Sequence, residues 1–173
     1  NNVDILSGGV LASWNAVSGN SATSTATANT INGNVTNSGT LQISGLNNYV
    51  GNNYTINGDY TGVSGSKIVM NSILGDDSSA TDRLTINGNS AGESGISLSN
   101  IGGLGAQTVN GIEVISVAGN SDASFTLAKP AVVGAWEYNL NQKSDGNWYL
   151  ESITPPSDDG QNDGDDNSND GDN

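Results

Sequence analysis

Histidine and cysteine are both absent from the 173 residues, and only four Lys and Arg stand against 18 Asp and Glu. Without those two residue types there is no Ser-His-Asp triad, no cysteine nucleophile and no ordinary zinc site. The formal net charge of −14 sets the chain against phosphate backbones and anionic bilayers, so nucleic acid is not an expected partner. No apolar run approaches the ~20 residues that span a bilayer, and no basic-then-apolar leader opens the sequence. Direct membrane insertion of this segment is therefore not expected. The first residue is Asn1 rather than Met, so a fragment or a processed product is expected.

What fills the chain instead is small and polar. Asn (26), Gly (24), Ser (23) and Thr (13) make up 86 of the 173 residues. Such a composition would suit disorder if periodicity were missing. Here Ile, Val and Thr alternate with polar residues, and no stretch carries a 3.6-residue apolar period. The expected class is all-β. Residues 157–173 differ from the rest, with seven acidic residues, no basic one and nothing apolar. They read as a disordered acidic linker beginning after Pro155-Pro156. The remaining 155 or so residues suffice for one domain of ordinary size.

Short alternating runs recur through that body. They are Leu41-Gln42-Ile43, Tyr54-Thr55-Ile56, Ile68-Val69-Met70, Leu84-Thr85-Ile86 and Ile96-Ser97-Leu98, then Ile112-Glu113-Val114, Phe125-Thr126-Leu127, Trp136-Glu137-Tyr138 and Trp148-Tyr149-Leu150. Every second run falls near a period of 28: Leu41, Ile68, Ile96 and Phe125, and again Ile56, Leu84, Ile112 and Tyr138. Thr-Ile-Asn-Gly occurs three times, at 30–33, 55–58 and 85–88. Self-similarity at this spacing marks a solenoid, whose repeats bury their apolar faces only by stacking. Asn-Gly between alternating runs also suits a type I′ hairpin and hence an antiparallel sandwich. Three copies of one step favour stacked corners of a parallel β-helix, at Asn32-Gly33, Asn57-Gly58 and Asn87-Gly88. At these corners Gly or Asn is expected to supply positive φ. Asn side chains are expected to share hydrogen bonds along the axis.

An open solenoid end templates aggregation unless it is covered. Four of the nine aromatics, Trp136, Tyr138, Trp148 and Tyr149, fall within 14 residues. They lie in two alternating runs, 136–140 and 148–150, separated by a segment containing the turn signal Asp145-Gly146. This reads as a hairpin whose aromatics cover the last rung, with Phe125, Leu127, Leu140 and Leu150 beside them.

At this point a family comes into view. Leu74-Gly75-Asp76-Asp77-Ser78-Ser79-Ala80-Thr81-Asp82-Arg83-Leu84-Thr85-Ile86-Asn87-Gly88 resembles the C-terminal passenger segment of pertactin-like autotransporters. The resemblance runs on through Gly105-Ala106-Gln107-Thr108-Val109-Asn110-Gly111-Ile112-Glu113-Val114-Ile115, Gly119-Asn120-Ser121 and Phe125-Thr126-Leu127-Ala128. It closes with Gly134-Ala135-Trp136-Glu137-Tyr138-Asn139-Leu140 and Asp145-Gly146-Asn147-Trp148-Tyr149-Leu150, and covers about residues 40–153. The resemblance implies a right-handed parallel β-helix carried across the Gram-negative outer membrane. It further implies an autochaperone region at its C-terminal end, a linker, and a downstream outer-membrane β-barrel as partner alongside the upstream rungs. Such a family often has Arg where Glu151 stands. The expected divisions are rungs over 1–73, autochaperone-like rungs and cap over 74–156, and the linker over 157–173. A chain threaded through a pore also gains by lacking disulfides.

Other motifs carry less. Asp166-Asn167-Ser168-Asn169-Asp170-Gly171 matches half of an EF-hand loop, but no Glu closes it, and a flexible linker is the simpler reading. Gly102-Gly103-Leu104-Gly105-Ala106 has Ala where a calcium repeat needs Asp. Asp76, Asp77 and Asp82 would be a glycosidase-like carboxylate set only if held 5–10 Å apart in a cleft, which is the order of separation such chemistry needs. Arg83 beside Asp82 reads more simply as a surface pair in a corner loop. Trp14, Tyr49, Tyr54 and Tyr60 would make a sugar-stacking face, yet packing is the commoner use. Asn34-Val35-Thr36 and Asn53-Tyr54-Thr55 match the N-glycosylation pattern. No catalytic, metal or cofactor residue is assigned, and no cofactor is expected. The expected function is structural: folding support for a surface-displayed passenger. Contact with host-cell or sister-cell ligands stands as the alternative, and polysaccharide cleavage ranks behind it.

Overall fold

A computed structural model describes residues 1–13, 26–44 and 48–154. The acidic segment 157–173, the half EF-hand loop within it and Trp14 lie outside the described residues. Fifteen strands, and no helix, form among the described residues. They are β1 (Asn2–Ile5), β2 (Val10–Ala12), β3 (Ala28–Ile31), β4 (Asn34–Asn37), β5 (Thr40–Gln42), β6 (Asn53–Ile56), β7 (Tyr60–Gly62) and β8 (Lys67–Ser72), then β9 (Arg83–Ile86), β10 (Ser90–Asn100), β11 (Ile112–Val117), β12 (Ser124–Leu127), β13 (Ala131–Val133), β14 (Trp136–Gln142) and β15 (Trp148–Ile153). The nine alternating runs of the sequence fall in strands, except that Ile43 lies one residue beyond β5.

The strands wind into a parallel β-solenoid of about four turns. Sheet 1 stacks β1, β4, β7 and the first part of β10. Sheet 2 stacks β2, β5, β8, the second part of β10, and β12. Sheet 3 stacks β3, β6, β9 and β11, all parallel. It then continues antiparallel through β15, β14 and β13. Each turn thus uses three strands where the alternation marks only two. The missed strands β4 and β7 are short and place a single apolar side chain inward, Val35 and Tyr60, too little for a period to register.

Stacking builds the core. Leu41, Ile68 and Ile96 lie in register on sheet 2, and Ile56, Ile86 and Val117 on sheet 3, all inaccessible or nearly so. Burying each such side chain contributes about 1.5–3 kcal/mol relative to exposure. The period near 28 holds, but its register drifts at the end. Ile96 pairs with Leu127 while Phe125 faces Ser94, and Leu84 pairs with Tyr54 and Ile115 rather than Ile56 and Ile112. Tyr138 belongs to an antiparallel strand, opposite Ala131 and Ser152.

The repeated Asn-Gly steps do stack, for a different reason than expected. Asn57 Nδ2 donates to Asn32 Oδ1 at 2.8 Å, and Asn87 Nδ2 to Asn57 Oδ1 at 2.7 Å. One residue beyond the glycines, Asn34, Asp59 and Asn89 each accept a backbone N–H from the next rung at 2.8 Å. Gly33, Gly58 and Gly88 do not have positive φ. They are glycine because a Cβ would collide with the rung beneath. At Gly58 it would sit 2.6 Å from the Gly33 carbonyl carbon, and at Gly88 the same distance from that of Gly58.

Candidate functional site

The last turn and its hairpin carry most of the residues singled out from the sequence. Asp145-Gly146 turns the chain between β14 and β15, with Gly146 at φ 85°. Tyr60, Phe125 and Trp148 then form an aromatic column along the axis. Tyr60 and Phe125 lie 6.0 Å apart, and Phe125 meets Trp148 edge-on at 5.5 Å. Edge-on pairs of this kind add about 0.5–1.5 kcal/mol beyond area burial. Leu150 and Tyr138 are buried beside them, while Leu127, Leu140 and Trp136 are only partly buried against the core. Among the described residues the Trp148 indole N–H is buried without an acceptor.

Tyr149 faces outward, on the opposite side of β15 from Trp148 and Leu150, so it does not help cover the rung. Its hydroxyl lies 2.5 Å from Asp145 Oδ2 and 3.3 Å from Glu113 Oε2. The Asp145 hydrogen bond pushes the phenol up to about 12, and in return holds the Asp145 carboxyl below its usual range. Lys143 lies 4.8 Å above the Tyr149 ring, pairs with Glu151 at 3.3 Å and donates to the Asn110 carbonyl. Glu151, where the family often has Arg, therefore has a cation of its own.

The segments that carried the resemblance are pinned to one another here. Asp77 accepts the backbone N–H groups of Val109, Asn110 and Gly111 at 2.8–3.0 Å. Those donors hold its carboxyl below the usual range. Asp76 is lowered by Ser78, whose hydroxyl and backbone N–H both reach its Oδ1. The Tyr138 hydroxyl donates to the Gly75 carbonyl at 2.7 Å and accepts the Ala106 N–H at 3.1 Å. Ser152 and Thr108 exchange hydrogen bonds, and Asn147 accepts the Val117 N–H. Segments 74–77, 105–111, 136–142 and 147–153 thus close on each other through unrepeated contacts.

Asp82 is not a surface residue paired with Arg83. It is wholly buried, and Oδ1 accepts N–H groups from Gly51, Asn52 and the Asn52 side chain while Oδ2 accepts that of Asn71. Burial pushes its carboxyl up, against the pull of these donors. Arg83 pairs instead with Glu113 at 3.4 Å. Asp76, Asp77 and Asp82 each serve a different set of backbone donors, so they form no shared acid–base pair. Tyr54 and Tyr60 are buried in the core, and Tyr49 is the exposed member of the proposed aromatic face. Sequence reasoning had no route to the Asp82 nest, because its donors lie 11 to 31 residues away.

Residues 29–140 match the family model described as autochaperone domain type 1. The chain is 44% identical over 113 residues to the autotransporter adhesin AIDA-I of Escherichia coli, covering 62% of this chain and 9% of that protein. It is 45% identical over 111 residues to the adhesin BmaC autotransporter of Brucella suis, covering 57% of this chain and 3% of that one. Against the probable autotransporter YfaL of Escherichia coli it is 39% identical over 138 residues, 74% of this chain and 11% of the relative. The chain therefore spans about a tenth or less of the length of these relatives. The matched stretch takes in the stacked corners, the Asp82 nest and most of the first strand of the hairpin, and on that match the chain belongs to the autochaperone domain type 1 family of adhesin-type autotransporters.

Proposed function

We propose that residues 74–156 nucleate folding of the rungs N-terminal to them while the passenger crosses the outer membrane. The observation that carries this reading is the asymmetry of the contacts. The described residues of 1–73 are held mainly by repeated ladders, whereas the C-terminal end adds the Asp77 and Tyr138 clasps and the edge-on Phe125–Trp148 pair, which packs on Tyr60 of the preceding rungs. In a solenoid, stability is roughly a sum of rung terms and nearest-neighbour interfaces, so one stable end templates the rest. Each rung added outside the cell would bias transport outward without an external energy source.

In this reading the segment is non-catalytic, its partners are its own upstream rungs and a downstream outer-membrane β-barrel, and the whole passenger is an adhesin. Its place is the Gram-negative cell surface or the secreted fraction, as for autotransporter adhesins. Refolding from denaturant with pulsed hydrogen exchange tests the order. Amides of β11, β14 and β15 are expected to gain protection before those of β3 to β6. Simultaneous protection, or the reverse order, refutes nucleation from this end.

A further inference from the structure

Sheet 2 carries a glycine that the fold does not require. Gly95 sits inside β10 with ordinary φ, and a Cβ there would meet nothing closer than the Ser66 carbonyl oxygen at 3.8 Å. Every other described glycine either has positive φ or would press its Cβ to within 3.3 Å of a neighbour. Glycine inside a strand weakens it and often marks a close approach by a ligand or another backbone. Gly95 lies in register between Lys67 of β8 and Thr126 of β12, so its missing side chain opens a gap in an outward row.

That gap is a hollow of about 360 Å³ bordered by Lys67, Glu93, Ser124, Thr126 and Ala128. Its floor is tied to the core: Ser66 and Ser94 are buried and bonded to each other at 2.7 Å, and Ser94 is bonded to Tyr60 at 2.6 Å. Ala128 also borders a second hollow of about 150 Å³ with Ser97, Ser99 and Lys129. The two together make a trough along the outer face of sheet 2. Among the described residues, Arg83 and Lys143 are ion-paired, while Lys67 and Lys129 have no carboxylate within 4.0 Å. Both of these lysines border this trough.

We propose that the trough binds a neutral, hydroxyl-rich glycan chain, a role beyond folding and independent of it. The Gly95 backbone lets a sugar ring lie against the sheet. Lys67 donates to ring hydroxyls, Glu93 accepts from them, and Ser124, Thr126 and Ser97 do both. One Lys and one Glu in the main hollow suit an uncharged ligand, and the net charge of −14 repels polyanions. An extended peptide finds no free edge at β8 or β10, which are paired on both sides; it could add only to the outer side of β12, which pairs with β10 alone, and so it is carried as an outcome of the test.

The test is titration of the isotope-labelled 173-residue chain with neutral hexasaccharides of glucose, galactose and mannose, read by amide chemical shifts. A heparin hexasaccharide and an extended Ser/Thr-rich hexapeptide run in parallel. The expected result is saturable shifts at Gly95 and Thr126 with at least one neutral sugar. Gly95→Thr should weaken binding at least about tenfold and Gly95→Ala less, without lowering the denaturation midpoint. Lys67→Gln should weaken it by about tenfold, as loss of a charge-assisted hydrogen bond implies, while Arg83→Gln leaves it unchanged. The proposal is overturned if no neutral sugar shifts these amides, if only heparin or the peptide does, or if Gly95→Thr binds as the parent does.

Discussion

The Tyr138 hydroxyl is the sharpest test of how the cap is closed. Tyr138 is 1% exposed, and its single hydroxyl joins three segments, β14, the turn at Gly75 and the loop at Ala106. Tyr138→Phe keeps the ring and its packing and removes one oxygen. The Gly75 carbonyl and the Ala106 N–H then lose a partner at a part-buried site. An orphaned buried group costs about 1–3 kcal/mol, and water reaching the loop would bring the figure toward the lower end. Tyr149→Phe is the matched control, since its hydroxyl faces outward and bonds carboxylates in solvent-screened surroundings. Its cost should stay below about 0.5 kcal/mol. Equilibrium urea unfolding of both variants, followed by tryptophan fluorescence, gives the two numbers. If Tyr138→Phe costs no more than Tyr149→Phe, the hydroxyl does not clasp the cap and the contact network drawn around it is wrong.

Further expectations come from the ladders, the carboxylates and the aromatics. Gly58→Ala should cost about 1–3 kcal/mol or more, as overpacking does, whereas Gly95→Ala should be neutral or stabilising; equal midpoints for the two variants in urea would contradict the corner geometry. Asp77 and Asp145 have lowered folded-state values, so their contribution is present above the ordinary carboxylate value of 3.8 and is lost as pH falls through the folded value. Asp82, with its value raised by burial, has the opposite sign: its contribution is present below 3.8 and lost as pH rises through the folded value. Stability should therefore fall in acid, less steeply in Asp77→Asn and more steeply in Asp82→Asn, as unfolding midpoints measured from pH 2 to 7 would reveal. Trp148→Ala should cost about 3–5 kcal/mol as a buried ring and Trp136→Ala distinctly less, because Trp136 is only partly buried; calorimetric unfolding of the two variants checks the order.

The sequence made sheets 2 and 3 legible because their strands alternate Leu, Ile and Val with polar residues, and that pattern survives any small error in register. Sheet 1 was not legible, since three- and four-residue strands such as β4 and β7 expose too few apolar positions to show a period. The corner motif was read correctly as a stack and wrongly as a φ requirement, because sequence reports that glycine is needed without saying whether dihedral angle or neighbouring backbone demands it. The cap was legible as a hairpin with an aromatic face. That Tyr149 turns away follows from its odd position between Trp148 and Leu150, a signal already present in the alternation. The burial of Asp82 was not legible at all, since a charged residue between Thr81 and Arg83 looks exposed unless its distant backbone donors are known.

The two kinds of contact in this fold do different physical work. Ladders repeat: Asn32, Asn57 and Asn87 make the same bond at each step, and Asn34, Asp59 and Asn89 another. A repeated bond fixes spacing and register but gains nothing until a neighbouring rung exists, so ladders propagate structure without choosing where it starts. The clasp contacts do not repeat. Asp77 reaches 32 to 34 residues ahead and Tyr138 reaches 63 residues back. Closing such loops is entropically costly, yet the cost grows only slowly with length, and several clasps share one closure. In the order proposed above, segments 74–77 and 105–111 meet the hairpin first, one rung then has fixed ends and buried aromatics, and each further rung needs only a local step. Buried Asp82 lies at the junction between the two regimes, with donors from Gly51, Asn52 and Asn71 in the preceding turn. Its carboxylate is satisfied only when that turn is already in place. In the proposed order, the first rung added to the cap is the one that brings these donors to Asp82, so the carboxyl is buried and given its partners in the same step.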